Sequence, residues 1–345
     1  MSDLAARLLT LLPSETAHRA ALRGLKAGFG PKATTAPDPV LRTAIGGIEL
    51  PHPVGLAAGF DKNAEVPDAL LRAGFSFVEV GGVTPLPQAG NPQPRLFRLR
   101  EDKAVINRMG FNNEGLDAMK ARLEARQESP APGVVGVNLG ANKDSEDRAG
   151  DYAILLKALS GLADFFTLNV SSPNTPGLRG LQTGAALDDL LKKVNDVRWA
   201  EPVFIKIAPD IEDADVDAIL SAITAHKLSG LIVSNTTTQR PNTLQNRHRE
   251  EPGGLSGKPL FERSTAVLRA FRKAAGPDLP IIGVGGVDSA ETAYAKIRAG
   301  ANAVQLYTAL IYQGPGLAVR IRDGLAELLK RDGFERLADA VGVDV

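Results

Sequence analysis

The 345-residue chain contains no cysteine. That absence removes disulfide frameworks, thiolate-held zinc or iron–sulfur centres and a cysteine nucleophile together, so redox chemistry here needs a bound organic cofactor. Histidine is scarce: His18, His52, His226 and His248 are the whole set, and no pair has an HxxxH or HExxH spacing. A histidine-based metal centre is therefore not expected. Neither sign of charge is in excess, with 40 Lys and Arg against 40 Asp and Glu, which does not suit a protein that reads nucleic acid by neutralising phosphates. Long apolar runs are missing too. The apolar stretch 8–12 near the start is too short to span a bilayer and lacks the cleavage pattern of a signal peptide.

What is present is ordinary globular usage, 43% hydrophobic and 23% charged residues, with 35 Gly and 23 Pro. Gly and Pro together make up roughly 17% of the chain against about 12% on average, so many tight turns are needed and a loop-built site is favoured. At about 150 residues per domain the length suggests two domains, yet α/β barrels of 250 residues or more are common single units.

Residues 1–36 stand apart. They read as two short helices, 4–12 and, after Pro13, a second one that Ser14 could cap. The second carries Leu22, Leu25 and Phe29 on one side, flanked by Arg19, Arg23 and Lys26. Five basic residues oppose two acidic ones in this segment, a net charge of +3. Such a pair suits a membrane surface; a helical hairpin packed on the main domain is the alternative. Residues 31–43, with Pro31, Pro37 and Pro39, read as a linker.

Beyond it the chain alternates. Short apolar or glycine-bounded runs at 54–59, 77–83, 134–140, 165–171, 203–208, 230–236, 280–286 and 303–309 predict eight strands. Helical patterns at 113–127, 151–159, 185–198, 213–225, 261–275 and 289–298 lie between them, with a last helix over 317–330. Strand and helix repeated in this way imply an α/β protein of the (β/α)8 TIM-barrel class over residues 37–345, with the small N-terminal helical extension. A proline- and arginine-rich insertion, 84–112, is long enough to cover the barrel mouth.

Each predicted strand ends in a polar or glycine-rich turn, where barrel enzymes place their sites. Lys206, Asn138 and Asn169 sit within apolar runs, a costly position unless the side chain is paired. The segment 283–286 (GVGG), before a helix near Ser289, and the Tyr307–Thr308 turn occupy the strand 7 and strand 8 positions that hold phosphate in such barrels, and a flavin mononucleotide phosphate would fit.

Seven motifs together carry a resemblance. AAGFDKN (57–63), NRMGFNN (107–113), NVSSPNTPGLR (169–179), KIAPD (206–210), SNTT (234–237), GGLSGKPL (253–260) and IIGVGG (281–286) occur in the order found in the dihydroorotate dehydrogenase family, and the similarity spans about residues 40–331. Serine at 172, where the soluble class has cysteine, and LPSETAH at 12–18 resemble the quinone-dependent class 2 enzymes. The resemblance implies an FMN enzyme that oxidises (S)-dihydroorotate to orotate in pyrimidine synthesis. It further implies electron transfer to a ubiquinone-type quinone, peripheral attachment at the cytoplasmic face of the inner membrane through the N-terminal helices, and a monomer.

By the same resemblance Ser172 is the catalytic base. Ala58, Gly59, Phe60, Asp61, Lys62, Gly82, Asn138, Asn169, Lys206, Ser234, Gly257, Gly286, Tyr307 and Thr308 surround FMN. Lys62, Asn107, Arg108, Met109, Gly110, Phe111, Asn169, Asn174, Asn235 and Thr236 meet the substrate. Gly82 departs from the family, where many members have threonine. On the residues alone, a barrel flavoenzyme for another ring and a non-enzymatic flavin or phosphate module stay open; the asparagines at 107, 174 and 235 discriminate against the first.

Overall fold

The structure is a computed structural model that describes residues 9–182, 184–197 and 199–345. Eight parallel strands close into a barrel: β3 (Val54–Leu56), β4 (Phe77–Val83), β7 (Val134–Leu139), β8 (Phe165–Asn169), β9 (Val203–Ile207), β10 (Gly230–Val233), β12 (Ile281–Val284) and β13 (Ala303–Leu306). They lie in chain order around the ring, and β13 pairs with β3 to complete it. All eight predicted strands are present, most ending two or three residues earlier than expected. The polar turns that close the predicted runs cannot continue the ladder and become the loops of the mouth.

The interior is filled by alternating large and small residues. Phe77, Phe165 and Phe204 meet edge to face, with centroids 6.4 and 5.6 Å apart. Gly136 faces this layer, and a Cβ there would lie 2.1 Å from the Phe165 ring. A hairpin of β1 (Thr43–Ile45) and β2 (Ile48–Leu50) places Ile45 and Leu50 against the same aromatics and closes the floor.

Helices surround the barrel with their apolar faces inward. They include α2 (Pro67–Arg72), α3 (Gly115–Gln127), α4 (Arg148–Leu159), α5 (Gly184–Asn195), α6 (Asp213–Ala225), α7 (Phe261–Ala275) and α8 (Ala290–Arg298). The short α9 (Thr308–Gln313), then α10 (Leu317–Arg331) and α11 (Leu337–Ala340), complete the chain. In α10 the buried residues Leu317, Ile321, Leu325 and Leu329 recur every four positions, as an amphipathic helix on a core requires.

Two expectations are corrected. Ser14 is not a cap: Pro13 precedes the helix α1 (Ser14–Lys26), no side chain caps it, and the Ser14 hydroxyl instead accepts from Arg98 Nε at 3.0 Å. The segment 31–43 is not a free linker, because Val40 and Leu41 are buried and Arg322 holds the Thr35 carbonyl at 2.9 Å. The insertion 84–112 lies over the mouth. Its strands β5 (Leu96–Leu99) and β6 (Ala104–Asn107) need β11 (Gly254–Gly257) to form a three-stranded antiparallel sheet over the mouth. The expected first helix, 4–12, lies mostly outside the described residues.

Candidate active site

A cavity of about 550 Å³ opens at the C-terminal ends of the barrel strands, under the β5–β6–β11 sheet. Its wall is organised by a chain of side-chain amides. Asn235 Nδ2 donates to Asn169 Oδ1 at 3.2 Å, Asn169 Nδ2 to Asn138 Oδ1 at 2.9 Å, and Asn138 Nδ2 to Glu79 Oε1 at 2.6 Å. Gln305 Nε2 donates to the other Glu79 oxygen at 2.7 Å. Both Glu79 oxygens accept, so Glu79 fixes which end of each amide faces which neighbour. Glu79 is 1% exposed on β4 and Gln305 is fully buried on β13. Neither was picked out from the sequence. A single polar residue in an apolar strand gives no sign of its partner across the barrel.

Lys206 projects from β9 at the position paired with Asn169, is 5% exposed and forms no ion pair with any described residue. Lys62, half-buried on the loop after β3, donates to the Gly59 carbonyl. Withdrawal from water and the nearby Arg95 charge lower its pKa to about 8, against the opposing pull of Glu15 and Asp61. Ser172, on the loop after β8, is 7% exposed, and its Oγ accepts from the Asn174 N–H at 3.3 Å. Asn174 in turn donates from Nδ2 to Asn107 Oδ1 at 3.2 Å, tying two loops across the mouth. Three buried atoms of the wall, Asn112 Oδ1, Thr236 Oγ1 and Gln305 Oε1, have no partner within the described chain. They suit a ligand rich in hydrogen-bonding groups.

At one end of the cavity the N–H groups of Gly285, Gly286 and Val287 find no acceptor within the described chain. Both glycines have positive φ, 108° and 75°, and a Cβ at Gly286 would lie 2.5 Å from Phe261. Successive free N–H groups in such a turn form an anion-binding concavity. Gly82 also has positive φ, 53°, and the Phe111 ring stands 2.7 Å from where its Cβ would be, so a larger residue has no room.

Most expected site residues therefore gather at this cavity: Ala58, Gly59, Lys62, Gly82, Asn107, Met109, Gly110, Phe111, Asn138, Asn169, Ser172, Asn174, Lys206, Ser234, Asn235, Thr236, Gly257, Gly286, Tyr307 and Thr308. Three do not. Asp61 is 1% exposed and spends its carboxylate on the N–H groups of Glu65 and Val66, at 2.9 and 2.7 Å, which shapes the loop that carries Lys62. The Arg108 side chain turns outward to Glu251 at 2.8 Å and lies over the Phe97 ring. Phe60 faces away, into a second cavity.

That second cavity, about 110 Å³, lies between α1 and the barrel and is lined mainly by apolar side chains, among them Ala17, Ala21, Leu25, Phe60 and Leu310. His18, Leu96, Tyr307 and Ile311 line both cavities. Phe60 stacks edge-on with His18 at 5.3 Å and with Tyr307 at 5.8 Å. Burial, helped by the Lys62 charge, lowers the His18 pKa to about 4, which leaves the ring neutral near pH 7. His18 closes the LPSETAH stretch at 12–18, but no role for it was picked out from the residues. A bidentate pair from Glu15 to Arg95, both contacts 3.0 Å, locks α1 in place. Burial alone would raise the Glu15 pKa, but Arg95 holds it below its ordinary value.

Residues 40–329 match the family model described as dihydroorotate dehydrogenase. Proteins of Brucella ovis and Brucella canis named "Dihydroorotate dehydrogenase (quinone)" are each 53% identical over 344 residues, 97% of this chain and 94% of theirs. Among solved structures, DHODH of Eimeria tenella in complex with ferulenol is 40% identical with a TM-score of 0.92, covering 96% of this chain and 95% of that one. The ligand-free type from the same organism gives the same identity and TM-score, with 99% of its chain covered. A closed eight-stranded barrel, a polar cavity at its mouth and a match over most of the chain agree: the chain belongs to the dihydroorotate dehydrogenase family.

Proposed function

We propose that the protein oxidises (S)-dihydroorotate to orotate in pyrimidine synthesis, with FMN in the large cavity and a ubiquinone-type quinone as electron acceptor. The observation that carries this reading is the pair of cavities with a shared wall. One carries many polar side chains and holds Ser172, and the other is almost wholly apolar and opens under α1. A reaction that takes electrons from a polar ring and gives them to an apolar molecule needs both environments.

Forming the C5–C6 double bond removes a proton from C5 and a hydride from C6. FMN supplies the hydride acceptor when bound. Ser172 Oγ takes the C5 proton, and the Asn174 N–H that it accepts from holds the oxygen in place. Lys62 pairs with the substrate carboxylate, while Asn107, Asn174, Asn235 and Thr236 meet the polar edge of the ring. Asn138, Asn169 and Lys206, which line the cavity, would hold the cofactor's ring, with Lys206 offering positive charge to its polar edge. The N–H groups of the turn 285–287 would hold its phosphate.

At the apolar cavity, neutral His18 offers a polar group without the cost of a buried charge. The exposed Leu11, Leu12 and Phe29 beside the exposed Arg19, Arg23 and Lys26 give the N-terminal segment a face for an anionic lipid surface. No described helix is long and apolar enough to cross a membrane. An anaerobic titration tests the whole reading. Dihydroorotate should bleach the flavin absorbance, and added quinone should restore it. A flavin that dihydroorotate leaves oxidised would overturn it.

A further inference from the structure

Lys296 on α8 is wholly buried, yet it forms no ion pair with any described residue. Its Nζ donates to Ser264 Oγ at 2.9 Å and Thr265 Oγ1 at 3.0 Å, both on α7, and lies 5.3 Å from the Phe261 ring centroid. Burial pushes the ammonium down to about 7, with Glu262 pulling the other way. A buried cation among neutral oxygens is costly, and a fold that needed only a tie between two helices would be served by a neutral side chain.

The location says what the charge faces. Ser264 Oγ, which accepts from Lys296, directs its own proton to the carbonyls of Gly285 at 3.0 Å and Phe261 at 3.1 Å. In a trans peptide the carbonyl and the next N–H point in opposite directions. Anchoring the Gly285 carbonyl against α7 therefore turns the Gly286 N–H away from α7, toward the cavity that residues 285–287 line. Through Ser264, Lys296 is thus linked to the turn whose N–H groups find no acceptor among the described residues. In surroundings of low dielectric its charge acts beyond hydrogen-bond range.

We propose that Lys296 is the buried counter-charge for a phosphate ester held by the turn 285–287, and that it positions that turn through Ser264. The proposal rests on the reading that FMN occupies the cavity with its phosphate at this end. Lys296 touches no ligand and is a positioning residue.

The test compares FMN with riboflavin, which lacks the phosphate. Release of FMN from the diluted holoenzyme is followed by recovery of flavin fluorescence, and riboflavin affinity is measured on protein stripped of FMN. Lys296→Met should speed FMN release about tenfold or more, the change made by one interaction of ~1.4 kcal/mol, and leave riboflavin affinity unchanged. Ser264→Ala, which keeps the charge but cuts the tie to Gly285, should shift the same ratio in the same direction. Thr265→Val, which removes only the other hydroxyl partner, should leave it within about twofold. Equal loss of FMN and riboflavin in Lys296→Met would reduce the lysine to a helix tie and overturn the proposal. So would an unaltered preference for FMN in Lys296→Met, or in Ser264→Ala should the first variant not fold. A wild-type protein that holds riboflavin as tightly as FMN would instead remove the phosphate assignment itself.

Discussion

A serine hydroxyl is a poor base, and among the described residues the one polar contact of Ser172 Oγ is the Asn174 N–H. The base must therefore depend on its placement in a 7%-exposed position rather than on a strong partner. Ser172→Ala should keep FMN and bind orotate yet reduce the flavin about 100-fold more slowly or worse, the usual cost of losing a general base. Stopped-flow reduction at the wild-type rate would refute the role. Lys62 sets a pH limit at the same site. Its pKa lies below the ordinary lysine value, at about 8, so the free enzyme carries this charge below pH 8 and loses it above. If the charge binds the substrate carboxylate, kcat/KM for dihydroorotate should fall as pH rises through about 8. Lys62→Arg, which keeps its charge, should lack that limb. A profile that is flat from pH 7 to 10, a range bracketing that pKa, would argue that the carboxylate is held elsewhere. Ser172 and Lys62 were legible in the sequence because they lie in dense motifs at strand ends. Glu79, Gln305 and Lys296 were not, because each acquires meaning only from a partner on another element.

Among the elements, the barrel strands and long helices could be read from the chain, since short apolar runs with polar ends and four-residue spacings of leucine are local patterns. The helix Pro67–Arg72 is too short to show a period. The sheet over the mouth escaped for a different reason: Leu255 pairs with Ile106 across about 150 positions of chain, and no window of sequence contains that pairing. The element α1 was seen, but its partner and its boundary were not. The strap 31–43 is docked by Leu41 and Arg322, so a deletion meant to remove only α1 and what precedes it should stop at residue 30. That truncated protein should retain dihydroorotate-dependent flavin reduction and lose reoxidation by long-chain quinone in vesicles, together with flotation on them. Full quinone turnover with unchanged flotation would rule out the role of this segment at the membrane.

For the molecule as a whole, the floor is one place where packing leaves no spare room. Gly136 leaves the Phe165 ring its place, and a methyl group there would overlap it. Gly136→Ala should cost about 1–3 kcal/mol by overpacking, read as a lower urea midpoint, and Phe165→Leu in the same chain should recover part of the loss. An unchanged midpoint would mean that the layer yields more readily than its geometry suggests. The closed floor has a consequence for traffic. The barrel is a cup and not a tube: the pyrimidine leaves by the rim through which it came. Electrons need not follow it, because the wall at His18 and Tyr307 separates the polar bowl from the apolar pocket by little more than a side chain. If the proposed placement of cofactor and quinone holds, matter and charge depart by different doors, and crowding at the rim delays one without blocking the other.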